Sequence, residues 1–132
     1  MKKHGILNRD IARVLAGMGH TDSIVIADCG LPIPAGVECI DLSVTLGSPD
    51  FFSVLDAVLA DFQCEQALFA SESREHNPAV VHSAEGLAAS GCAVRMVPHE
   101  EFKAACRQAR AIIRTGEASP YANVVLYSGV IF

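Results

Sequence analysis

The sequence lacks the features that mark several large functional classes. Its formal net charge is −5 at pH 7, and the acidic residues are scattered with no basic stripe among them, which argues against binding to a nucleic-acid backbone. There is no G-x-G-x-x-G or Walker loop for a nucleotide, and no G-x-S-x-G elbow for a serine nucleophile. A neutral or weakly polar small ligand fits this composition better.

Cysteine pairs at disulfide or zinc-binding spacings are also missing. The five cysteines are an odd number and are widely separated, at Cys29, Cys39, Cys64, Cys92 and Cys106. Because no C-x-x-C pair occurs, neither a disulfide framework nor a zinc site is predicted. The sequence also contains no set of closely spaced His and Glu residues that could bind another metal.

Long apolar runs are absent as well. The run that a signal peptide would need is interrupted near the N-terminus by Asn8, Arg9, Asp10 and Arg13. No other stretch has the uninterrupted apolar length of a membrane span. We therefore expect a soluble, cytoplasmic protein.

The chain does contain enough apolar residues for a core, and its helical and strand-like segments alternate. It has 132 residues, of which 51% are hydrophobic. Helices are predicted behind the N-cap Asn8, after Ser48-Pro49 as cap and first turn, from Asn77-Pro78 to about Ser90, and from His99. Strands are predicted over 23–27, 37–44, 66–70, 93–97, 111–114 and 123–126. The alternation predicts an α/β fold, with residues 1–132 in one layered domain that has a largely parallel central sheet flanked by helices.

Two distant polar clusters indicate a ligand site. One is Gly19-His20-Thr21-Asp22, followed after a short apolar run by Asp28; the other is Ser119-Pro120-Tyr121-Ala122-Asn123. In a parallel sheet, ligands bind at the loops beyond the carboxyl ends of the strands. That rule predicts one shared cleft for Asp28, His99, Tyr121 and Asn123.

Each of these polar residues can be explained either by a chemical role in a site or by an ordinary structural role. His20 can exchange a proton near neutral pH, with a carboxylate such as Asp28 to orient it, or it can simply interact with the C-terminal dipole of the first helix. His99 opens a helix whose acidic first turn is explained by the helix dipole alone. Tyr121 is otherwise a partly buried aromatic residue, and Asn123 a turn residue that satisfies its own backbone.

Motifs along the whole chain recur together in one known family. They are Lys2-Lys3 with Gly5 and Leu7-Asn8, Gly19-His20-Thr21-Asp22, Gly30-Leu31-Pro32-Ile33-Pro34, His99-Glu100 with Phe102-Lys103, Gly116-Glu117, Ser119-Pro120-Tyr121-Ala122-Asn123, and Gly129-Val130 with Phe132. In this order they resemble the D-ribose pyranase family, the sugar mutarotases of the ribose operon that are related to fucose mutarotase. The departures are small, with Cys29 and Ala118 standing where the family pattern suggests Ala and Cys.

The resemblance implies a role for each residue of the two clusters. His20 is the implied proton donor, and Asp28 and His99 are implied to bind the sugar. Tyr121, Ala122 and Asn123 are implied to line the pocket through side chains and backbone. Cys29 adjoins Asp28, so we expect any effect of that departure to be a narrower pocket.

The resemblance also implies an activity and an assembly. The expected reaction is the interconversion of β-D-ribopyranose and β-D-ribofuranose, an isomerase reaction of ribose catabolism that needs no cofactor. The assembly implied by the family is a homodecamer of two stacked pentameric rings, with sites close to subunit contacts. The alternatives are a non-catalytic ribose-binding accessory protein and a mutarotase for another sugar such as fucose.

Overall fold

The alternating pattern folds into a six-stranded sheet with helices on both faces. The computed structural model describes residues 1–132. Its elements are α1 (Arg9–Ala16), β1 (Ser23–Ala27), β2 (Glu38–Asp41), α2 (Phe51–Leu59), β3 (Cys64–Ala70), α3 (Ser73–His76), α4 (Pro78–Ala89), β4 (Ala93–Val97), α5 (His99–Cys106), β5 (Ala111–Arg114) and β6 (Val124–Ser128). None of these helices is long and apolar enough to cross a bilayer.

The sheet is largely parallel, as predicted, and one strand runs against the others. The strand order is β2-β5-β1-β6-β3-β4, and β6 is antiparallel to both of its neighbours, β1 and β3. The remaining neighbouring pairs are parallel. Because of this reversal, the start of β6 lies at the same edge of the sheet as the carboxyl ends of β1 and β3.

The core has two parts because successive side chains of a strand point to opposite faces. Ile24 and Ile26 of β1 pack in a large cluster with residues of α1, α2 and α4. Val25 and Ala27 pack in a smaller cluster with residues of α5. The fully buried β1 therefore runs through the centre of a three-layer α/β/α arrangement.

Most helix boundaries follow from local capping chemistry. The Asn8 side chain accepts hydrogen bonds from the N–H groups of Asp10 and Ile11 and so begins α1. The Asn77 side chain accepts from the Val80 N–H at the start of α4, with Pro78 in the first turn. Both caps agree with the sequence-based prediction.

The predicted cap at Ser48-Pro49 was wrong. The backbone N–H and carbonyl of Ser48 pair with Thr45 in a short bridge, so Ser48 is held in a hairpin. Asp50 caps α2 instead, because its carboxylate accepts the Ser53 N–H at 2.8 Å. The short helix α3 was not predicted.

Candidate functional site

Three elements bring polar residues to the carboxyl edge of the sheet. Asp28 directly follows β1, and His99 follows β4. Asn123 directly precedes the antiparallel β6, in which Val124 pairs with Ile26 of β1. The reversed strand therefore delivers the C-terminal polar cluster to the edge where Asp28 and His99 emerge, as the sequence predicted.

Asp28 and Asn123 form a reciprocal pair. The Asp28 N–H donates to Asn123 Oδ1 at 2.8 Å, and Asn123 Nδ2 donates to Asp28 Oδ2 at 2.7 Å. The Gly30 N–H donates to the other carboxylate oxygen of Asp28 at 2.9 Å. Asn123 is only 1% exposed, so its side chain fixes the orientation of the Asp28 carboxylate instead of serving its own turn.

Aromatic rings surround the next part of the edge. Tyr121 has a φ of +57°, a left-handed conformation that is uncommon outside glycine. Its ring centroid lies 5.2 Å from that of His99, edge to face, and 5.6 Å from that of His76. His99 in turn stacks on Phe102 at 6.1 Å. The buried Ala122 side chain packs in the core, which leaves the backbone of Ala122 as its contribution to this edge.

Glu72 anchors the residue that opens α5. Both of its carboxylate oxygens accept the His99 N–H at 3.0 Å. This backbone hydrogen bond is the main reason that the pKa of Glu72 lies below its usual value. The Nδ1 atom of His99 is buried without a hydrogen-bond partner, and buried polar atoms of this kind are uncommon.

The side chains of Asn77 and Glu117 hold the loop that precedes β6. Asn77 Nδ2 donates to Ser119 Oγ at 2.9 Å and to the Pro120 carbonyl at 2.8 Å. Glu117 accepts the N–H groups of Phe51, Ala118 and Ser119. Burial would raise the pKa of Glu117, but these N–H donors outweigh burial and the pKa is lowered. The loop is therefore a braced structure.

His20 lies at the opposite edge of the sheet. It precedes β1, and the adjoining Thr21 N–H donates to the carbonyl of Ser128 at the end of β6. Its Nε2 atom is 2.8 Å from Glu65 Oε2 near the start of β3. The length of β1 separates His20 from Asp28, a distance of ~16 Å at the usual rise per residue of a strand.

The two polar clusters thus do not converge within one chain. Asp28, His99, Tyr121, Ala122 and Asn123 share the carboxyl edge, as predicted, but His20 does not join them. The interpretation that Asp28 orients His20 was wrong for residues of the same chain, because Glu65 holds that position. Because β1 runs from one edge of the sheet to the other, His20 before it and Asp28 after it lie at opposite edges.

Several residues of this region were not predicted from the sequence. Glu65, Glu72 and His76 carried no local signal. Asn77 was explained as a helix cap, which it is, but its amide also reaches Ser119, 42 residues along the chain. Capping accounts for the side-chain oxygen of Asn77 but gives no partner to its NH₂ group. These unassigned donors were the signal in the sequence that Asn77 has a second contact.

No group of three or more His, Cys, Asp or Glu side chains is arranged to hold a metal ion. A cavity of about 670 Å³ lies elsewhere, between α2 and α4, and is lined by residues such as Phe52, Leu59 and His82. The polar residues of the carboxyl edge do not line this cavity. What they offer is hydrogen-bonding groups and aromatic faces, the equipment for binding a hydroxyl-rich molecule.

Comparison with known proteins identifies a family for the whole chain. Residues 1–131 match the profile described as the RbsD / FucU transport protein family. The chain is 69% identical over 132 residues to a protein of Chromobacterium violaceum named D-ribose pyranase, covering 100% of both chains.

Solved structures show the same fold. The structure of Bacillus subtilis RbsD complexed with D-ribose superposes with a TM-score of 0.96 at 45% identity, covering 100% of both chains. The fucose mutarotase of Streptococcus pneumoniae in complex with L-fucose superposes with a TM-score of 0.81 at 25% identity, covering 99% of this chain and 100% of that one.

Proposed function

Because the chain belongs to the RbsD / FucU transport protein family, we propose that it interconverts the pyranose and furanose rings of D-ribose. The observation that carries this proposal is the full-length identity of 69% to a D-ribose pyranase. The superposition on RbsD complexed with D-ribose supports the same substrate. The protein is then an isomerase of the sugar mutarotase type.

The reaction depends on two proton transfers to and from the sugar. Opening the ring requires protonation of the ring oxygen and removal of the anomeric hydroxyl proton, and closure on a different hydroxyl reverses both transfers. A positioned acid/base group contributes roughly 10²- to 10⁴-fold to such a step. This acceleration is sufficient because the reaction already proceeds in water, so neither a covalent intermediate nor a cofactor is required.

The roles of the residues are part of the proposal. His20 donates the proton to the ring oxygen. Asp28, His99, Tyr121, Ala122 and Asn123 bind the sugar hydroxyls. Two observations support the binding roles: Asn123 holds the Asp28 carboxylate in one orientation, and His99 carries a ring nitrogen that has no partner within the protein.

These roles require two copies of the chain. His20 and Asp28 lie at opposite edges of the sheet, so one chain cannot present both to a single sugar. If the His20 edge of one copy meets the Asp28 edge of the next, a complete site forms at the contact. A head-to-tail contact of this kind closes into a ring when its rotation allows, which suits the proposed decamer of two pentameric rings.

Exposed apolar segments support such a contact. At the carboxyl edge, Val44 and Leu46 are 80% and 81% exposed, and they border a small cavity that also includes Cys29, next to Asp28. At the other edge, the tail residues Ile131 and Phe132 are 90% and 100% exposed. Large exposed apolar residues grouped at both edges are typical of association surfaces.

The test is saturation-transfer NMR on equilibrated D-ribose, which reports exchange between pyranose and furanose anomeric signals. We expect the wild-type protein to accelerate this exchange over buffer, and His20→Ala to lose most of the acceleration while retaining sugar affinity. Equal acceleration by the variant would remove His20 from the mechanism. Binding of D-ribose with no acceleration by wild type would instead favour a sugar-binding accessory protein.

The same measurement with L-fucose tests the sugar preference. The similarity to a fucose mutarotase complexed with L-fucose makes this sugar the relevant competitor. Since identity to that protein is 25% against 45% for RbsD, we expect D-ribose to be the better substrate. We place the reaction in the cytoplasm, where it supplies the furanose for phosphorylation.

A further inference from the structure

The side chain of His20 has a single hydrogen-bond partner, Glu65. The Nε2 and Oε2 atoms are 2.8 Å apart, and both side chains are about half exposed, at 50% and 58%. Glu65 makes no other ion pair or side-chain hydrogen bond, so nothing else in the chain explains its orientation. The contact engages one ring nitrogen of His20 and leaves Nδ1 without a partner.

The backbone at Glu65 departs from regular strand geometry. In the antiparallel pairing of β3 with β6, Cys64 lies opposite Ser128, and Gln66 already lies opposite Tyr127. Glu65 is therefore the extra residue of a β-bulge. Bulges occur next to functional sites, where they redirect a side chain away from the direction that the regular pleat would give it.

The space that Glu65 occupies is kept open by a glycine. A Cβ atom on Gly129 would lie 3.0 Å from the Cβ of Glu65 and 3.3 Å from its Oε2. The Gly129 N–H donates to the carbonyl of Gln63, which ties the end of β6 to the start of β3 beneath the bulge. The bulge and the glycine both serve the position of this one carboxylate.

The turn that carries His20 is held by other residues. The Gly19 N–H donates to Asp22 Oδ2 at 2.8 Å, and Asp22 pairs with Arg110 at 3.0 Å. The Thr21 N–H donates to the carbonyl of Ser128. Loss of the Glu65 side chain therefore removes the partner of the imidazole without removing a bond that holds the backbone of the turn.

We propose that Glu65 is a positioning residue for catalysis, acting through His20 and directing Nδ1 at the sugar. This inference rests on the proposed function, and specifically on His20 as the proton donor. Because an ionised carboxylate can only accept a hydrogen bond, Nε2 is the donor to Glu65 and keeps its hydrogen throughout the cycle. Nδ1 is the atom that gains and loses a proton.

The resulting proton transfers balance. The Nδ1 proton of the His20 imidazolium passes to the ring oxygen as the bond from that oxygen to the anomeric carbon breaks. The anomeric hydroxyl gives its proton to water, which leaves an open-chain aldehyde and a neutral imidazole. On closure, a different sugar hydroxyl attacks the aldehyde carbon and gives its proton to Nδ1, while water returns a proton to the former carbonyl oxygen.

The kinetic test compares five variants in the ribose exchange assay: Glu65→Ala, Glu65→Gln, His20→Ala, the double variant of His20→Ala with Glu65→Ala, and Glu85→Ala. We expect Glu65→Ala to lower kcat by about tenfold or more, a part of the roughly 10²- to 10⁴-fold of a positioned acid/base group, with KM unchanged because Glu65 does not touch the sugar. Glu65→Gln retains an oxygen acceptor and should keep most of kcat. In the His20→Ala background, Glu65→Ala should have no further effect. Glu85→Ala, which removes an exposed glutamate of α4, is the matched control and should behave as wild type.

A second measurement does not depend on turnover. Nitrogen-15 NMR of protein labelled at histidine reports which ring nitrogen of neutral His20 carries hydrogen. We expect Nε2–H in wild type and in Glu65→Gln, and a mixture of the two forms in Glu65→Ala. If wild type proves inactive on ribose, the proposed function fails, and this experiment still decides whether Glu65 sets the tautomer of His20.

The contrary results are equally definite. A Glu65→Ala variant with wild-type kcat, or one that lowers kcat by the same factor with and without His20, would overturn the proposal. An unchanged tautomer in Glu65→Ala would do so as well. Folding of each variant is checked by circular dichroism, and Glu65→Gln, which preserves shape and hydrogen bonding, distinguishes a lost orientation from a damaged fold.

Discussion

Asn123 is a buried polar side chain that belongs to the proposed sugar site. Both polar atoms of its side-chain amide form hydrogen bonds with Asp28. Oδ1 accepts the backbone N–H of Asp28, and Nδ2 donates to the Asp28 carboxylate. Burial of a polar group is tolerated when its hydrogen bonds are made and is costly when they are lost. The pair therefore couples the stability of the edge to the orientation of Asp28.

We predict that Asn123→Ala weakens both folding and sugar binding. The Asp28 N–H loses its acceptor, which costs about 1–3 kcal/mol for a buried group left without a partner. The Asp28 carboxylate loses one of its two donors and becomes free to turn. Thermal unfolding at fixed protein concentration and titration with D-ribose should show a lower Tm and a weaker affinity.

The control for this variant is Gln108→Ala, which removes an exposed amide that makes no side-chain hydrogen bond. It should leave Tm and affinity near those of wild type. An Asn123→Ala protein that binds ribose as tightly as wild type would contradict the role given to the pair.

Among the elements, the antiparallel strand β6 has the largest effect on the site. It turns the start of a strand toward the edge where β1 and β3 end, so that Asn123 meets Asp28 and Tyr121 meets His99. The loop before β6 is fastened to α4 through Asn77 and to α2 through Glu117. The site thus depends on how neighbouring loops pack, including the hairpin at residues 45–48.

We predict opposite effects for the same substitution at two glycines. A Cβ on Gly116 would lie 2.5–2.6 Å from backbone atoms of Thr45 and Ser48, so Gly116→Ala should displace the hairpin and destabilise the protein by about 1–3 kcal/mol. Gly86 is exposed within α4, and no atom lies within 4 Å of the position that an added methyl group would take, so Gly86→Ala should stabilise by up to about 1 kcal/mol. Thermal unfolding of both variants gives the signs directly.

Gly86→Ala and Gly116→Ala introduce the same methyl group, so each variant is the control for the other. If Gly116→Ala unfolds at the wild-type temperature, the close approach of the hairpin to the end of β5 is not a constraint. A simultaneous loss of ribose exchange in Gly116→Ala would link the hairpin to the proposed subunit contact, since Val44 and Leu46 belong to the same loop.

On the scale of the whole molecule, the two edges of the sheet carry complementary halves of the proposed site. His20 and Glu65 are at one edge, and Asp28, Tyr121 and Asn123 are at the other. No motion of a fully buried strand such as β1 could bring them together without unfolding the core. A second copy of the chain supplies the missing half without any such change.

We predict that two inactive variants restore activity when combined. His20→Ala removes the proton donor of one edge, and Asp28→Asn removes the carboxylate of the other while keeping its shape. In randomly mixed oligomers, about a quarter of the head-to-tail contacts contain both wild-type edges. Co-refolded mixtures should therefore recover about a quarter of the wild-type ribose exchange rate.

Each variant refolded alone is the control and should remain inactive. If the mixture is no more active than its components, the site does not draw on two copies. Analytical ultracentrifugation of the same samples shows whether the expected ring assembly has formed, which separates a failed assembly from a site contained in one chain.

The sequence by itself determined the elements and the chemistry of this protein. Capping at Asn8 and Asn77, the apolar run of β1, and the alternation of helices and strands depend on neighbouring residues, so they could be predicted locally. The residue types of the proposed site could also be recognised in the sequence, because a histidine, a carboxylate, a phenol and an amide are groups that can form hydrogen bonds with sugar hydroxyls. The motifs identified the family, to which the chain belongs.

Only the tertiary structure decided which of these residues meet. The direction of β6 depends on pairing between strands that are far apart in sequence, and it brought Asn123 to Asp28. The same sheet separated His20 from Asp28, although only β1 lies between them in the chain, because a strand carries its two ends to opposite edges. Glu65, Glu72 and the amide of Asn77 acquired their partners through such long-range packing, which no local pattern records.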